Sequence, residues 1–168
     1  MLVVDFITTF GGAQRVMVNM IPELAQYMDV TYIDALEDAA SQAVFERVGV
    51  PFGKLPMWPR RQVLGFEGSL LHKLGVLAIW GPAHMLYAVR LAVYARHHGF
   101  QVIYTNSKKG LMVCVAVGWL ARLPVIYHCH GLEDPEDVDS TYGAAIRACR
   151  AVIAVSQDVK RKLVMAGI

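Results

Sequence analysis

Charge is scarce in this chain. Asp, Glu, Lys and Arg make up 18% of it, and 16 basic residues nearly balance 14 acidic ones, for a formal net charge of +2. A polyanion is bound by a basic face or stripe, so this balance argues against nucleic acid as a partner. Cysteine is sparse as well. Cys114, Cys129 and Cys149 are odd in number and lack the paired spacing of a zinc site or a disulfide framework, which suits small core residues in a reducing compartment. Residues Met1 to Ile7 carry no basic region, and Asp5 interrupts them, so no export signal is read. Leu70 to Ala95 is strongly apolar, but His72, Lys73, His84, Arg90 and an expected break at Gly81-Pro82 interrupt the roughly 20 apolar residues that a membrane-spanning helix needs. The expected location is the cytoplasm, including the cytosolic face of a membrane.

Repeats, low-complexity tracts and an internal linker are also missing, so the 168 residues read as one compact domain. What is present is apolar: 55% of residues are hydrophobic, which suits a sheet covered on both faces. Leu2 to Ile7, Val30 to Ile33, Val102 to Thr105, Val125 to Tyr127 and Val152 to Val155 are short β-branched runs, and helical stretches lie between most of them. Ala13, Val16, Met17, Met20, Ile21, Leu24 and Met28 recur at helical spacing, with a kink expected at Pro22. Alternation of this kind predicts βαβ units, and hence a Rossmann-like, doubly wound, mainly parallel α/β sheet. The segment from Ala35 to Gly68 reads as irregular, with Val48 to Val50 as a further strand candidate before Pro51, Pro56 and Pro59.

Ligands of such sheets sit beyond the carboxyl ends of the strands. That rule selects Thr8 to Gly12, Asn106 to Lys109, His128 to Gly131, and Ser156. Gly11-Gly12 allows close backbone approach at a helix start, where free N–H groups favour an anion, or serves simply as a turn. Neither the dinucleotide fingerprint nor the phosphate loop of NTPases is present. His130 can hydrogen-bond or move a proton in a cleft, or be satisfied by nearby backbone. His128 lies two residues earlier on the same face, but with no third ligand in view no metal is expected, and no cofactor. Lys108, with Asn106 and Ser107, can receive an anion or mark a solvated helix start. The acidic run Glu133 to Asp139 lacks the spacing of an EF-hand. Lys54, Met57, Trp58, Arg60, Arg61 and Phe66 mix basic and large apolar groups in a way that suits either a membrane interface or a Pro-rich surface loop. Ser156 is the expected N-cap of a last helix and Gly167 its left-handed C-cap. The chain ends one residue later, as though a following strand or domain lies elsewhere.

Four segments carry a resemblance. Gly11-Gly-Ala-Gln-Arg-Val16, Gln101-Val-Ile-Tyr-Thr-Asn-Ser-Lys108, Leu123-Pro-Val-Ile-Tyr-His-Cys-His-Gly131 and Ala151-Val-Ile-Ala-Val-Ser156 resemble, in order, the N-terminal motifs of family 4 retaining glycosyltransferases, which have the GT-B fold. The resemblance implies two Rossmann-like domains facing across a cleft. The N-terminal one mainly holds an acceptor, such as a glycan or a lipid-linked one, and the C-terminal one mainly holds a nucleotide-sugar donor. It implies that Gly11 and Gly12 approach the donor diphosphate and that His130 lies near the transferred sugar. Arg15, Asn106, Ser107, Lys108, Gly131 and Ser156 follow as further candidate binding positions on the rim. Gln14 departs from the family, which commonly has Glu there. The family's C-terminal domain supplies a basic pair and two glutamates separated by seven residues, a pair that this chain lacks. Residues 1–168 are therefore expected to be the N-terminal domain without its donor-binding counterpart, inactive or nearly so alone, with a separate C-terminal GT-B domain as its partner. The competing expectation is a non-catalytic interaction domain or remnant of the same fold. A third, a Rossmann-like binder of another nucleotide, lacks the NAD fingerprint.

Overall fold

The computed structural model describes residues 1–6, 11–36, 39–58, 70–131 and 141–168, with the backbone alone at 39–41 and 70–80. Its centre is a five-stranded, wholly parallel sheet in the order β2-β1-β3-β4-β5. The strands are β1 (Leu2–Asp5), β2 (Thr31–Asp34), β3 (Ile103–Thr105), β4 (Val125–Cys129) and β5 (Ala151–Ala154). The register pairs Val4 with Ile33, Val3 with Tyr104, Tyr104 with Ile126 and His128 with Ile153. β1 is buried along its whole length, and a strand buried on both faces is an unbroken apolar run rather than an alternating one.

Two layers of helix cover the sheet. On one face lie α1 (Gly12–Leu24) and α2 (Ala39–Arg47), whose Met17, Ile21 and Phe45 pack on Val3, Tyr32 and Tyr104. The other face carries α3 (Leu70–His97), α4 (Lys108–Ala121), α5 (Thr141–Arg147) and α6 (Gln157–Met165). There Leu2, Val4, Ile103 and Val125 meet Leu91, Val113 and Val117, while Tyr127 and Cys129 meet Ile146, Val159 and Leu163. Ser107 caps α4, its hydroxyl accepting from Gly110 N at 3.1 Å, and Arg122 closes that helix in the left-handed region at φ 57°. Ser156 caps α6 in the same way through Val159 N at 3.2 Å, and Gly167 follows it at φ 72°, as the sequence predicts.

Three expectations need correction. α3 runs straight through Gly81-Pro82. An interior proline costs roughly 3 kcal/mol, but Pro82 sits on the exposed side and burial of Tyr87, Ala88, Leu91, Ala92 and Ala95 outweighs that cost. The Ala35–Gly68 region contains α2, set by Phe45 stacking on Tyr32 with ring centroids 4.0 Å apart. Val48 to Val50 forms a turn after α2, not a strand; the extended contact comes later, where Phe52 bridges Tyr32 in parallel. α1 keeps Pro22 inside it and ends at Leu24. Among the described residues no helix is long and apolar enough to cross a membrane, and Cys114, Cys129 and Cys149 are free thiols.

Candidate functional site

The carboxyl ends of the strands gather polar groups on the face that α1 covers. Asp5 closes β1 and is almost fully buried. Its Oδ1 accepts from Phe6 N at 2.7 Å, and its Oδ2 accepts from the Tyr32 hydroxyl at 3.2 Å and from Gln14 Nε2 at 3.3 Å. The other end of that amide, Gln14 Oε1, accepts from Gly11 N at 3.0 Å. A buried carboxylate thus anchors the side chain that holds the glycine turn at the start of α1. Burial raises the Asp5 pKa to about 6, partly offset by the bonds from Phe6, Gln14 and Tyr32 and reinforced by Asp34. Gln14 occupies the position where an acid would repel Asp5; its amide donates to one partner and accepts from the other.

Gly11 is the extended N-cap residue of α1. Gly12 is exposed, and a Cβ added there would meet nothing within 4 Å among the described residues. The first-turn N–H groups beyond Gly11 have no intrahelical acceptor. Asn106 follows β3, is buried and donates from Nδ2 to Ala13 O at 3.3 Å, which ties the loop after β3 to the first turn of α1.

Histidines line the next strand. His128 is buried, and its Nδ1 lies 2.6 Å from the Tyr104 hydroxyl. Burial, with His130 beside it, pushes its pKa down to about 4. Burial also pushes the Tyr104 phenol up, with Asp5 adding to the effect. At neutral pH a protonated phenol therefore meets a neutral imidazole, with the phenol as donor. The His130 ring lies against that of His128, centroids 4.4 Å apart, and burial lowers its pKa too. Among the described residues, His130 Nε2 and Asn106 Oδ1 are buried polar atoms without a hydrogen-bond partner. Such atoms are rare in folded proteins and mark places where a ligand or water completes the bonding. On the same sheet face, Ile153 and Val155 are exposed, so the floor beside the histidines stays uncovered.

The other predicted positions lie at the same end of the sheet in different roles. Ser107 and Ser156 spend their hydroxyl lone pairs on helix caps. Lys108 holds its Nζ 4.9 Å above the Tyr142 ring, a cation–π contact rather than a free ammonium. Arg15 and Gly131 are exposed. Thr8 to Phe10, the acidic run, Arg60, Arg61 and Phe66 lie outside the described residues. Met57 is buried and so takes no part in the surface that Lys54 and Trp58 share. Among the described residues no three His, Cys, Asp or Glu side chains cluster as metal ligands.

The sequence profile of Glycosyltransferase Family 4 matches residues 10–168. The chain belongs to Glycosyltransferase Family 4. Solved structures agree with this assignment at the level of fold, that of the N-terminal half of GT-B enzymes. Anabaena HepE in complex with UDP-glucose superposes with a TM-score of 0.69 at 22% identity, covering 99% of this chain and 40% of HepE. The lipopolysaccharide outer core galactosyltransferase WaaB, in its apo form, gives a TM-score of 0.62 at 11% identity, with 99% and 42% coverage. Acinetobacter baumannii MurG gives 0.52 at 12% identity, with 94% and 41% coverage. The family 4 chain thus spans about 40% of the length of HepE. No curated protein matches it.

Sequence reading selected Gly11, Gly12, Asn106 and His130, but missed the relay that supports them. Asp5 was visible only as an interruption of an apolar run. A carboxylate at the end of a buried strand, just before a glycine turn, needs buried donors, and that need was the signal available.

Proposed function

We propose that this chain is the acceptor-side half of a sugar transferase that moves a sugar from a nucleotide-sugar donor, of the uridine diphosphate type, to a glycan or lipid-linked acceptor with retained anomeric configuration. The observation that carries the reading is the pair of partnerless buried atoms, His130 Nε2 and Asn106 Oδ1, flanking an open glycine turn on the strand-end rim of a family 4 domain. His130 would exchange a hydrogen bond with a hydroxyl of the transferred sugar. Asn106 Oδ1 can only accept, so it fits another hydroxyl. Gly11, Gly12 and the first turn of α1 would face the donor diphosphate, with Arg15 and Lys108 as the nearest cationic side chains on the rim and Ser107, Gly131 and Ser156 completing it.

Charge builds on the diphosphate as it leaves, and a transferase gains most of its rate by meeting that charge with preorganised positive groups. The rim supplies backbone N–H groups and little free cationic charge, because Lys108 is engaged with Tyr142. The main cationic support therefore belongs to a second, donor-binding GT-B domain outside these residues, and the 168-residue chain alone is expected to turn over little or no substrate. The reaction takes place in the cytoplasm, at the cytosolic membrane face when the acceptor is lipid-linked. The test is a transferase assay with a panel of nucleotide sugars, run on the chain alone and then with a separately expressed C-terminal GT-B domain. Activity confined to the mixture supports the reading. Robust turnover by the chain alone overturns its dependence on a second domain, and silence in both overturns the transferase reading itself.

A further inference from the structure

We infer that the groove at the amino ends of β4 and β5 is a binding site for a nucleoside diphosphate or triphosphate. The groove has a volume of about 910 Å³, and Arg96, Trp119, Arg122, Pro124 and Arg150 are among its lining residues, with no Asp or Glu among those described. Three elements bring the arginines together around the turn Arg122-Leu123-Pro124, which joins α4 to β4. On one side of that turn Arg96, in the last turn of α3, donates from Nε to Ala121 O at 3.3 Å. On the other side the backbone N–H of Arg150 donates to Val125 O at 2.8 Å, which sets the start of β5 beside that of β4. Trp119 stands one helical turn before Arg122, on the same side of α4, and is 80% exposed. The groove lies at the opposite end of the sheet from Asn106 and His130, and it holds whether or not the chain transfers sugar.

Helix carboxyl ends attract cations, and α3, α4 and α5 all end here, but their last carbonyls are already engaged. Ala95 O accepts from Phe100 N at 3.0 Å, Gly118 O from Leu123 N at 2.8 Å, and Ala144 O from Ala148 N at 3.1 Å. The guanidinium groups of Arg122 and Arg150 have no hydrogen bond or ion pair among the described residues. From Gly68 to Leu132 the chain has no Asp or Glu, so α3 and α4 offer no counter-ion. Three like charges held around one groove are relieved by an anion that carries more than one charge. Guanidinium binds phosphate oxygens in bidentate pairs, and an exposed indole stacks on a nucleobase. The volume falls in the range of small-ligand sites. A short phosphate chain with a base at one end uses the arginines and the tryptophan together. Pyrophosphate would leave Trp119 unused, and a neutral nucleoside would leave the arginines unused.

The experiment is calorimetric titration of the chain with ATP, ADP, pyrophosphate and adenosine. ATP should bind more tightly than ADP, and pyrophosphate about tenfold more weakly than ADP, the scale of one stacked base. Adenosine should give no heat, and ATP binding should weaken as salt rises. Trp119→Ala should lower ATP affinity by about tenfold and leave pyrophosphate unchanged. Arg122→Asn with Arg150→Gln should lower both by about tenfold or more. Asparagine suits the left-handed backbone at position 122, where φ is 57°, and far-UV dichroism checks that the variant folds. Arg150→Gln alone leaves that helix end untouched and should weaken ATP in the same direction, whereas Arg161→Gln on α6 should change nothing. No ATP binding, adenosine binding as tightly as ATP, or ATP binding indifferent to the arginine substitutions overturns the inference. So does equal affinity for ATP and pyrophosphate, or tighter binding of a polyglutamate peptide, because the groove would then serve bare phosphate or an acidic protein segment.

Discussion

The side-chain amide of Gln14 spans from the buried carboxylate of Asp5, at 3.3 Å, to the backbone N–H of Gly11, at 3.0 Å. The start of α1 is therefore held from inside the sheet. Asp5 is ionised at neutral pH, but burial raises its pKa to about 6, above the unfolded value near 3.8. In such a case the folded state binds more protons between those two values, so its contribution to stability is complete below the lower one and is lost as pH rises through the upper one. Asp5→Asn removes this titration. Urea unfolding should show the variant gaining on the parent by about 2–3 kcal/mol between pH 4 and pH 7. A difference that stays flat with pH would place the Asp5 carboxyl at its ordinary value.

His128 works in the opposite sense over the same range. Its folded pKa is lowered to about 4 from 6.5, so the unfolded state binds more protons between those values and stability falls as pH drops through them. In the parent protein the two effects partly cancel. Tyr104→Phe leaves the buried Nδ1 of His128 without its 2.6 Å partner and should cost about 1–3 kcal/mol at pH 7. It should also move the imidazole's titration toward 6.5, since the phenol's donated bond favours the neutral ring. Histidine NMR titration of the two proteins checks the shift, and an unchanged His128 titration in Tyr104→Phe would show that the bond does not set it.

How much of this was legible in the sequence depends on the range of the interaction. The strands were, because burial on both faces leaves unbroken apolar runs such as Leu2 to Val4. The cap Ser156 was, because a cap is a contact between residues three apart. The Asp5–Tyr32–Gln14 cluster was not: Asp5 and Tyr32 are 27 residues apart, and nothing local marks Tyr32 as a donor. α3 was misread at Pro82 because the local cost of a proline is visible in sequence, while the packing of Leu91 and Ala95 that outweighs it is not. Of the site, the strand-end rule found the rim positions, and which of their buried atoms go without a protein partner came only with the structure.

Three helical glycines separate packing from access. A Cβ at Gly110 would lie 2.5 Å from the Phe6 ring, and one at Gly118 would lie 2.5 Å from Val125 Cγ2 and 2.9 Å from the carbonyl of Leu123. Alanine gains roughly 1 kcal/mol of helix propensity at either place, but forced overlap in a packed core costs more, about 1–3 kcal/mol. Gly118→Ala should be the worse of the two, because part of its obstacle is backbone. Gly12→Ala meets nothing, so it should leave the melting temperature level or slightly raised. Thermal unfolding of the three variants checks the order, and a loss for Gly12→Ala matching that for Gly110→Ala would contradict the open helix start.

The same logic of an unused atom bears on His130. Its Nε2 is buried without a partner among the described residues, so His130→Ala removes no hydrogen bond to them at that atom; its cost to folding should be small, under about 1 kcal/mol. If the atom bonds the transferred sugar, the loss falls instead on catalysis. In a complete two-domain transferase, His130→Ala should lower kcat/KM by roughly 100-fold, the scale on which a single well-placed hydrogen-bonding or proton-moving group acts. Because burial lowers the His130 pKa, the ring is neutral at pH 7. A neutral ring can accept from a sugar hydroxyl at one nitrogen while donating at the other, and acidification that charges it should depress activity in the parent and not in the variant. A variant that keeps full activity, with the same acid limb as the parent, would remove His130 from the reaction and leave its ring as packing for His128.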